Sequence, residues 1–448
     1  LFWFILLLKD FSKIFLLLKD FSKIFQMSLN PLQQKAFDII SAGNNLCLSG
    51  PAGTGKSFLI RKFIEKYDGL KHIYVTASTG IAATLIDGIT LHSFFGIGLA
   101  EGTIEELTNT VRKNKKARER ICGTDTLFID EISMISGNLL DILNNISRTL
   151  RRSDRPFGGI QVVLVGDFAQ LPPINWEKEK FAFQADCWAE LIGENQIDLA
   201  DVIRQSDRLF IDILNIVRRG HILSTEQINI LENCKKQRPP PIEGLKPVEI
   251  EPYRADVDRI NMDCLKKLLT DSANKPVLFE ATHIVKGFAQ NINIDSAYNR
   301  TPLTRKLYVS VGAQVMLIKN LDVENGLCNG SRGIIREIIF NNGTPIGCFI
   351  EFIGQKIQIF SQTWKIKMGE ISIHINQLPI ILSWAITSHK SQGSSIDYAK
   401  INAMYSFECG QTYCMLSRIR SLAGLIIEDI DYDKIKCHEL VKKFYGWL

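Results

Sequence analysis

Residues 46–57 read LCLSGPAGTGKS. Leu46, Cys47 and Leu48 are an apolar run of the length of a short buried strand. An apolar-periodic helix is expected from about Ser57, through Phe58, Leu59, Phe63 and Ile64. Between the two, Gly50 to Lys56 spell a glycine-rich turn with the G-x-x-x-x-G-K-S spacing of a phosphate loop. Gly53 and Gly55, flanking Thr54, let the backbone turn its N–H groups inward, where they and the helix N-terminus suit a triphosphate. Lys56 can reach the β- and γ-phosphates, and the Ser57 hydroxyl can ligate Mg2+. The bare spacing occurs by chance in roughly one chain in a hundred of this length. A strand before it and a helix after it make an ordinary glycine turn the poorer reading.

Outward from this loop, short apolar runs alternate with helical periodicity from Leu29 on. Strands are expected at 46–49, 73–77, 126–130 and 161–166, which predicts a parallel α/β sheet with ligands at the strands' C-terminal ends. Each strand runs into a polar cluster. After the second comes TASTGIAATLIDGITLHSFFGIGL (76–99), where Thr76, Ser78, Thr79, Thr90 and Ser93 mix with His92, Phe94 and Phe95. Hydroxyls suit phosphates and aromatics suit base stacking; a packed loop is the plainer alternative. The third strand ends in Asp130–Glu131, one acid for Mg2+ and one to orient and polarise an attacking water. The fourth continues as QVVLVGDFAQLPPI (161–174), ending in Asp167 and Gln170, with Gln170 placed to sense a γ-phosphate. Upstream, in LNPLQQKAF, the Gln33 carboxamide can pair with a purine edge or simply be solvated at a helix start.

Residues 111–120, VRKNKKARER, are a basic run that reads as a solvated helix face or as a surface turned to DNA. In VIRQSDRLFIDILNIVRRG (202–220) a helix is expected from about Ser206, with Arg204 just before it. QRPPPIEGLKP (237–247) is an irregular crossing, and 253–269 is helical. From Leu307 to about Ile373 the pattern changes to short β runs with glycine turns, including the hairpin signal Asn342–Gly343. This reads as a small β-barrel inserted in an α/β domain. The α/β pattern returns at LPIILSWAITSHKSQGSSID (378–397), with His389, Lys390, Ser391, Gln392 and Gly393 clustered after an apolar run. GQTYCMLSRIRSLAGL (410–425) sets Arg418 and Arg420 after a helix. An arginine there can act across a domain boundary on a γ-phosphate, or pair with a surface acid.

At 448 residues the chain has room for about two to four domains. Its 46% apolar and 23% charged content is that of a soluble globular protein, and a net charge of +5 does not by itself announce a nucleic-acid binder. Ten cysteines without a C-x-x-C pair read as reduced core thiols of an intracellular protein rather than zinc ligands. LLLKDFSKIF at 6–15 repeats unchanged at 16–25, and the first methionine is Met27. Lys9, Asp10, Lys19 and Asp20 break the apolar runs, so no membrane span is expected. A ten-residue period keeps no helical face in register. The repeat reads as sequence upstream of a start at Met27, with an amphipathic membrane-surface segment as the alternative.

Taken together, LNPLQQ, GPAGTGKS, TASTGIAATLIDGITLHSF, FIDEISMI, RPFGGIQVVLVGDFAQLPPI, VIRQ, GAQVMLIKNLDVENGLCNGSRG, WAITSHKSQGSSID and GQTYCMLSRIRSLAGL resemble the Pif-one (petite integration frequency) family of 5′→3′ DNA helicases of superfamily 1, beside the RecD-like enzymes. They stand in the family's order from about Leu29 to Leu425. The resemblance implies an α/β protein of two RecA-like P-loop NTPase motor domains with ATP between them, a small wedge insertion and an inserted SH3-like β-barrel. The expected bounds are 1–27 for the non-globular repeat and 28–203 for the first motor, with the wedge at about 96–125. The second motor takes 204–305 and 376–448, and the barrel 306–375. It assigns Gln33 to adenine, Gly50, Gly53, Thr54, Gly55, Lys56 and Ser57 to phosphate, Ser57 and Asp130 to Mg2+, and Asp130 and Glu131 to hydrolysis. Gln170, Arg204, Gln392 with Gly393, and Arg418 become γ-phosphate sensors or arginine fingers. Thr76, His92, Phe94, His389 and Lys390 fall on or near single-stranded DNA. The chain departs from the family at Ala169, Ile203, Ser388, Cys414 and Met415, none of them a catalytic group.

The reading that follows is an ATP-dependent helicase acting on single strands and forks, a monomeric core without a membrane partner. Two rivals share the phosphate loop. A nucleotide-gated DNA-binding protein would have broken coupling, against the intact Glu131 and Arg418. A small-molecule kinase would have no use for the HKSQG and LSRIR stretches.

Overall fold

In the computed structural model the described residues are 29–448, except 80–81, 84–85, 87, 99, 174–178, 204, 206, 237–243, 271–274, 288–293, 299–300, 302, 320, 323–326, 328, 353, 369–370 and 393. The terminal repeat therefore lies outside them. The four expected strands form as β1 (Leu46–Ser49), β2 (Ile73–Ala77), β4 (Thr126–Asp130) and β5 (Gln161–Gly166), joined by β3 (Ile89–Thr90) and β6 (Gln196–Asp198). They make one parallel sheet in the order β3-β2-β4-β5-β1-β6. Strands β1, β4 and β5 are buried along their whole length, as a sheet covered on both faces requires. Helices α1 (Pro31–Ser41) and α2 (Lys56–Tyr67) cover one face, packing Ala36, Ile40, Leu59 and Phe63 on Leu48, Phe128 and Val163. The other face carries α3 (Leu91–Phe95), the basic pair α4 (Ile104–Lys113) and α5 (Lys115–Gly123), and α6 (Gly137–Arg151).

After this sheet, α7 (Arg208–Arg219) starts two residues later than expected, because Asp207 accepts the Phe210 N–H and caps it. A second parallel sheet opens with β7 (Val248–Glu251), and α8 (Arg254–Leu269) follows. The chain then leaves for an antiparallel body. This holds β8 (Val277–Glu280), β9 (Thr282–Lys286), β10 (Lys306–Val309), β11 (Gln314–Leu317), β12 (Arg332–Asn341), β13 (Thr344–Phe352), β14 (Gln355–Phe360), β15 (Gln362–Met368), β16 (Ile371–Gln377) and β17 (Ile380–Leu382). The body runs from Val277 to Leu382, wider than the 306–375 expected. Strand β9 pairs with β16 and β8 with β10, contacts across long stretches of chain that local periodicity does not carry. At the β12–β13 turn Asn342 and Gly343 both take positive φ, 48° and 79°, as the two-residue hairpin signal demands.

The chain rejoins the second sheet as β18 (Ala385–Thr387), β19 (Ala399–Ala403) and β20 (Leu425–Ile430), in the order β18-β7-β19-β20, all parallel. Short helices α9 (Ser388–Ser391) and α10 (Gln411–Leu416) lie between these strands, and α7 packs on the same core. The last helix, α11 (Glu439–Tyr445), follows the second sheet in sequence, yet Cys437 and Val441 are buried in the core of the first. Cys122 is exposed, so the cysteines are not all core thiols. Among the described residues no helix is long and apolar enough to cross a membrane.

Candidate active site

Strand β1 delivers the chain into the glycine-rich turn, and α2 starts at Lys56 on a left-handed Gly55 with φ 83°. At φ 83° an L side chain would be strained, and a Cβ at Gly55 would also push the Gln33 amide, 2.6 Å away, out of place. Lys56 Nζ donates to the Gly50 and Pro51 carbonyls at 2.6 and 2.9 Å, curled over its own loop. Thr54 is buried, its hydroxyl donating to the Pro51 carbonyl. Burial lowers the pKa of the Lys56 ammonium, against the pull of Asp167, Glu131 and Asp130.

Gln33 is neither solvated nor facing open space: it is 1% exposed. Its Nε2 donates to the Thr54 carbonyl at 2.9 Å, and its Oε1 accepts the Asn30 N–H in a capping box. It braces the phosphate loop from α1. Beside it Ile203, 49% exposed, donates its N–H to the Gly53 carbonyl. In sequence Ile203 stands out only as a departure from the family; an exposed apolar side chain at the mouth of a phosphate loop is the signal it carries.

Strand β4 ends on Asp130, and Glu131 follows in the left-handed region with φ 53°. A non-glycine residue held there stores strain, which is common at working sites. Burial first, and Glu131 second, push the Asp130 carboxyl up to about 7. A dry carboxyl beside a second acid is where a cation restores balance. With the Ser57 hydroxyl, Asp130 supplies the hard oxygen donors that Mg2+ takes alongside phosphates, so these residues fit the ion.

Second-sheet residues reach into this cluster. Gln392, at the end of α9, donates from Nε2 to Glu131 Oε2 at 2.9 Å. Arg418, 2% exposed, donates from Nη2 to Gln170 Oε1 at 3.1 Å and from Nε to the Cys414 carbonyl. The surface-pair reading fits Arg420 instead, which meets Asp397 at 3.1 Å. Sequence reasoning missed Tyr413 on α10, whose hydroxyl accepts the Ala52 N–H of the phosphate loop at 3.1 Å. It also missed Arg218 of α7, which grips the fully buried Asp167 at 3.0 Å. Neither has a local signal, since each partner comes from the other sheet. Arg204 and Gly393 lie outside the described residues.

The residues assigned to the single strand fare differently. Thr76 is fully buried, its hydroxyl donating to the Phe128 carbonyl across to β4. Phe94 is fully buried against Tyr74 and Phe95, with the Arg120 guanidinium over its ring. Neither offers surface to a base or phosphate in this structure; a hydroxyl and an aromatic next to exposed residues look the same in sequence as ones turned inward. His92 is partly buried, and desolvation lowers its pKa. The His389 and Lys390 side chains lie outside what is described. On α4 and α5, Arg112, Lys113, Lys115, Lys116 and Arg118 are exposed, while Arg120 turns in to the Ser93 and Phe94 carbonyls.

Residues 28–227 match the family model described as PIF1-like helicase, and 297–338 match DNA helicase Pif1, 2B domain. The ATP-dependent DNA helicase PIF1 of Danio rerio is 37% identical over 424 residues, 93% of this chain and 63% of that protein. The chain thus spans less than two thirds of that relative's length. The ATP-dependent DNA helicase Pif1 of Bdellovibrio bacteriovorus is 34% identical over 403 residues, 89% of this chain and 88% of that one. The crystal structure of Pif1 helicase from Candida albicans is similar with a TM-score of 0.79 at 33% identity, covering 94% of this chain and 99% of that one. That of Pif1 helicase from Bacteroides in complex with ADP-AlF3 and ssDNA gives 0.66 at 28% identity, covering 94% and 97%. With these likenesses the two parallel sheets are two RecA-like α/β domains.

Proposed function

The chain belongs to the PIF1-like helicase family, and from that premise we propose that it is an ATP-dependent 5′→3′ DNA helicase working on single strands and forks. The observation that carries the reading is the pair of contacts across the two domains, Gln392 to Glu131 and Arg418 to Gln170. A hydrolytic site assembled from both motors ties each ATP turnover to their relative position. The solved relative from Bacteroides holds a nucleotide analogue and single-stranded DNA together, which supports the same pairing of ligands here.

In this reading the loop amides and Lys56 hold the phosphates, with Lys56 leaving its carbonyl partners for the substrate. Ser57 and Asp130 would hold Mg2+, which when bound would supply charge neutralisation at the phosphates. Glu131 takes the proton of the attacking water. Gln170 and Gln392 sense the γ-phosphate, and Arg418 stabilises charge that develops on it. Gln33 and Ile203 shape the adenine side. Helices α4 and α5 serve as the wedge and the antiparallel body contains the SH3-like barrel, in a monomeric core. His92, His389 and Lys390 remain the candidates for DNA contact, and Arg204 for a second γ-phosphate contact. Replication, repair, recombination and telomere maintenance are the processes such an enzyme serves.

The test is steady-state ATPase with and without single-stranded oligonucleotide, then unwinding of duplexes with 5′ or 3′ tails. We expect slow basal hydrolysis, a steep rise with DNA, and unwinding from the 5′ tail alone. Arg418→Ala should remove most of the rise while leaving nucleotide affinity nearly intact, because its partner charge forms in the transition state. DNA binding with no stimulated turnover would favour a nucleotide-gated binding protein.

A further inference from the structure

The last helix of the chain reaches back to the loop that carries Gln170. Asp167 opens that loop at the end of β5, fully buried. Its Oδ1 accepts the Ala169 N–H at 3.2 Å, and its carbonyl accepts the Gln170 N–H at 3.0 Å, so the carboxylate and the turn set where Gln170 points. Tyr445 closes the same loop from outside. Its hydroxyl accepts the Phe168 N–H at 3.1 Å and donates to Asp167 Oδ1 at 3.4 Å. Arg218 holds the other side of the carboxylate through Nε and Nη2 at 3.0 Å each. The Tyr445 and Trp447 rings, stacked 4.4 Å apart, lie 4.9 and 4.8 Å from the Arg218 guanidinium.

We propose that Tyr445 is a positioning residue for ATP hydrolysis, acting through Asp167 and the Gln170 loop on the Gln170–Arg418 contact. The inference rests on the helicase reading above and extends its machinery to the end of the chain. Three features support a directing role over simple anchoring. The helix is already anchored without the hydroxyl: Phe444 stacks on Phe183 at 4.6 Å and meets Phe168 and Trp188 edge-on. The hydroxyl is therefore spent on the loop alone. Burial, and then Asp167, push the tyrosine pKa well up, so it stays a neutral donor throughout the working pH range. Finally, the path is short and continuous, from Tyr445 to Asp167, from Asp167 to Gln170 through the turn, and from Gln170 to Arg418 at 3.1 Å. Arg218 and Arg418 both come from elements packed on the second sheet. The loop is thus gripped by the second motor at both ends, and Tyr445 keeps the two grips in register.

The experiment is Tyr445→Phe in the full chain, which keeps the ring and deletes the two hydrogen bonds. DNA-stimulated kcat should fall about tenfold, with the KM for ATP held within about twofold, since a small misplacement costs the transition state more than binding. In an Arg418→Ala background the same substitution should add nothing, because both changes break one contact. An unchanged kcat in Tyr445→Phe overturns the proposal. So does a full tenfold loss on top of Arg418→Ala, or a lowered melting temperature with kcat per folded enzyme preserved. If the parent chain shows no DNA-stimulated hydrolysis, the helicase reading falls and takes this inference with it; stimulation in the parent that Tyr445→Phe leaves intact removes this inference alone.

Discussion

At the centre of the candidate site, single substitutions can separate the proposed roles. Lys56→Ala removes the cation from the phosphate loop and should cut hydrolysis by at least about a hundredfold while weakening nucleotide binding. Glu131→Gln keeps the shape and a partner for Gln392, so it should bind ATP and stall; turnover at the parent rate would show that Glu131 is not the base. Away from the site, Glu251 at the end of β7 is buried near Glu428, Glu249 and Asp256. Burial first and then those acids raise its carboxyl from the ordinary 4.5 to about 7. The folded chain holds this proton more tightly than the unfolded chain. Its contribution to stability is complete below about pH 4.5 and is lost as pH rises through about 7. Glu251→Gln should therefore gain on the order of 1 kcal/mol at pH 8 and nothing near pH 4.5. Thermal melting at the two pH values checks this, and an equal shift at both would remove the burial argument.

At the scale of elements, the two domains meet closely at Gly410. Gly410 starts α10 with φ 74°, and a Cβ there would lie 2.3 Å from the Ala169 carbonyl oxygen and 2.6 Å from that of Gln170. Gly410→Ala meets both a strained backbone and the first domain's loop, at a cost of about 1–3 kcal/mol. We expect it to lower DNA-stimulated kcat far more than nucleotide affinity, because the loop carbonyls must retreat and Gln170 moves with them. Parent-like stimulation would mean that the loop yields without disturbing the site. Capping and turn chemistry place most elements correctly: the phosphate loop, the Asn342–Gly343 hairpin and the strand ends at Asp130 and Gly166 all fall where local residues put them. The antiparallel body is larger than its sequence pattern suggests because β8 and β9 are short, partly exposed strands whose partners lie far along the chain.

Over the whole molecule, a modest net charge of +5 conceals a local basic face on α4 and α5, with Arg112, Lys116 and Arg118 exposed. If that face meets DNA phosphates, changing these three to Gln should flatten the salt dependence of DNA affinity, by up to about 0.7–0.9 in log–log slope for each phosphate left without its cation. Unwinding should suffer more than single-strand-stimulated ATPase, since the face lies on helices packed against the first sheet rather than at the contacts between the two domains. Titration of oligonucleotide binding against salt, for parent and variant, decides it; identical slopes would return the face to solvent.

Chemistry that depends on neighbours along the chain is legible without any fold. The phosphate loop, the Asp130–Glu131 strand end and the parallel α/β pattern are local patterns of spacing and polarity, and the order of the longer motifs carries the family. Packing, by contrast, settles which polar groups face outward and which are consumed inside. Thr76 and Phe94 look available in sequence and are buried, while Tyr413, Arg218 and Tyr445 look ordinary and meet the active loops. The reason is physical. A hydroxyl, a ring or a guanidinium has the same composition in either setting, and its partner is brought from more than 50 residues away by tertiary packing: the second sheet against the first for Tyr413 and Arg218, and the last helix on the first sheet's core for Tyr445.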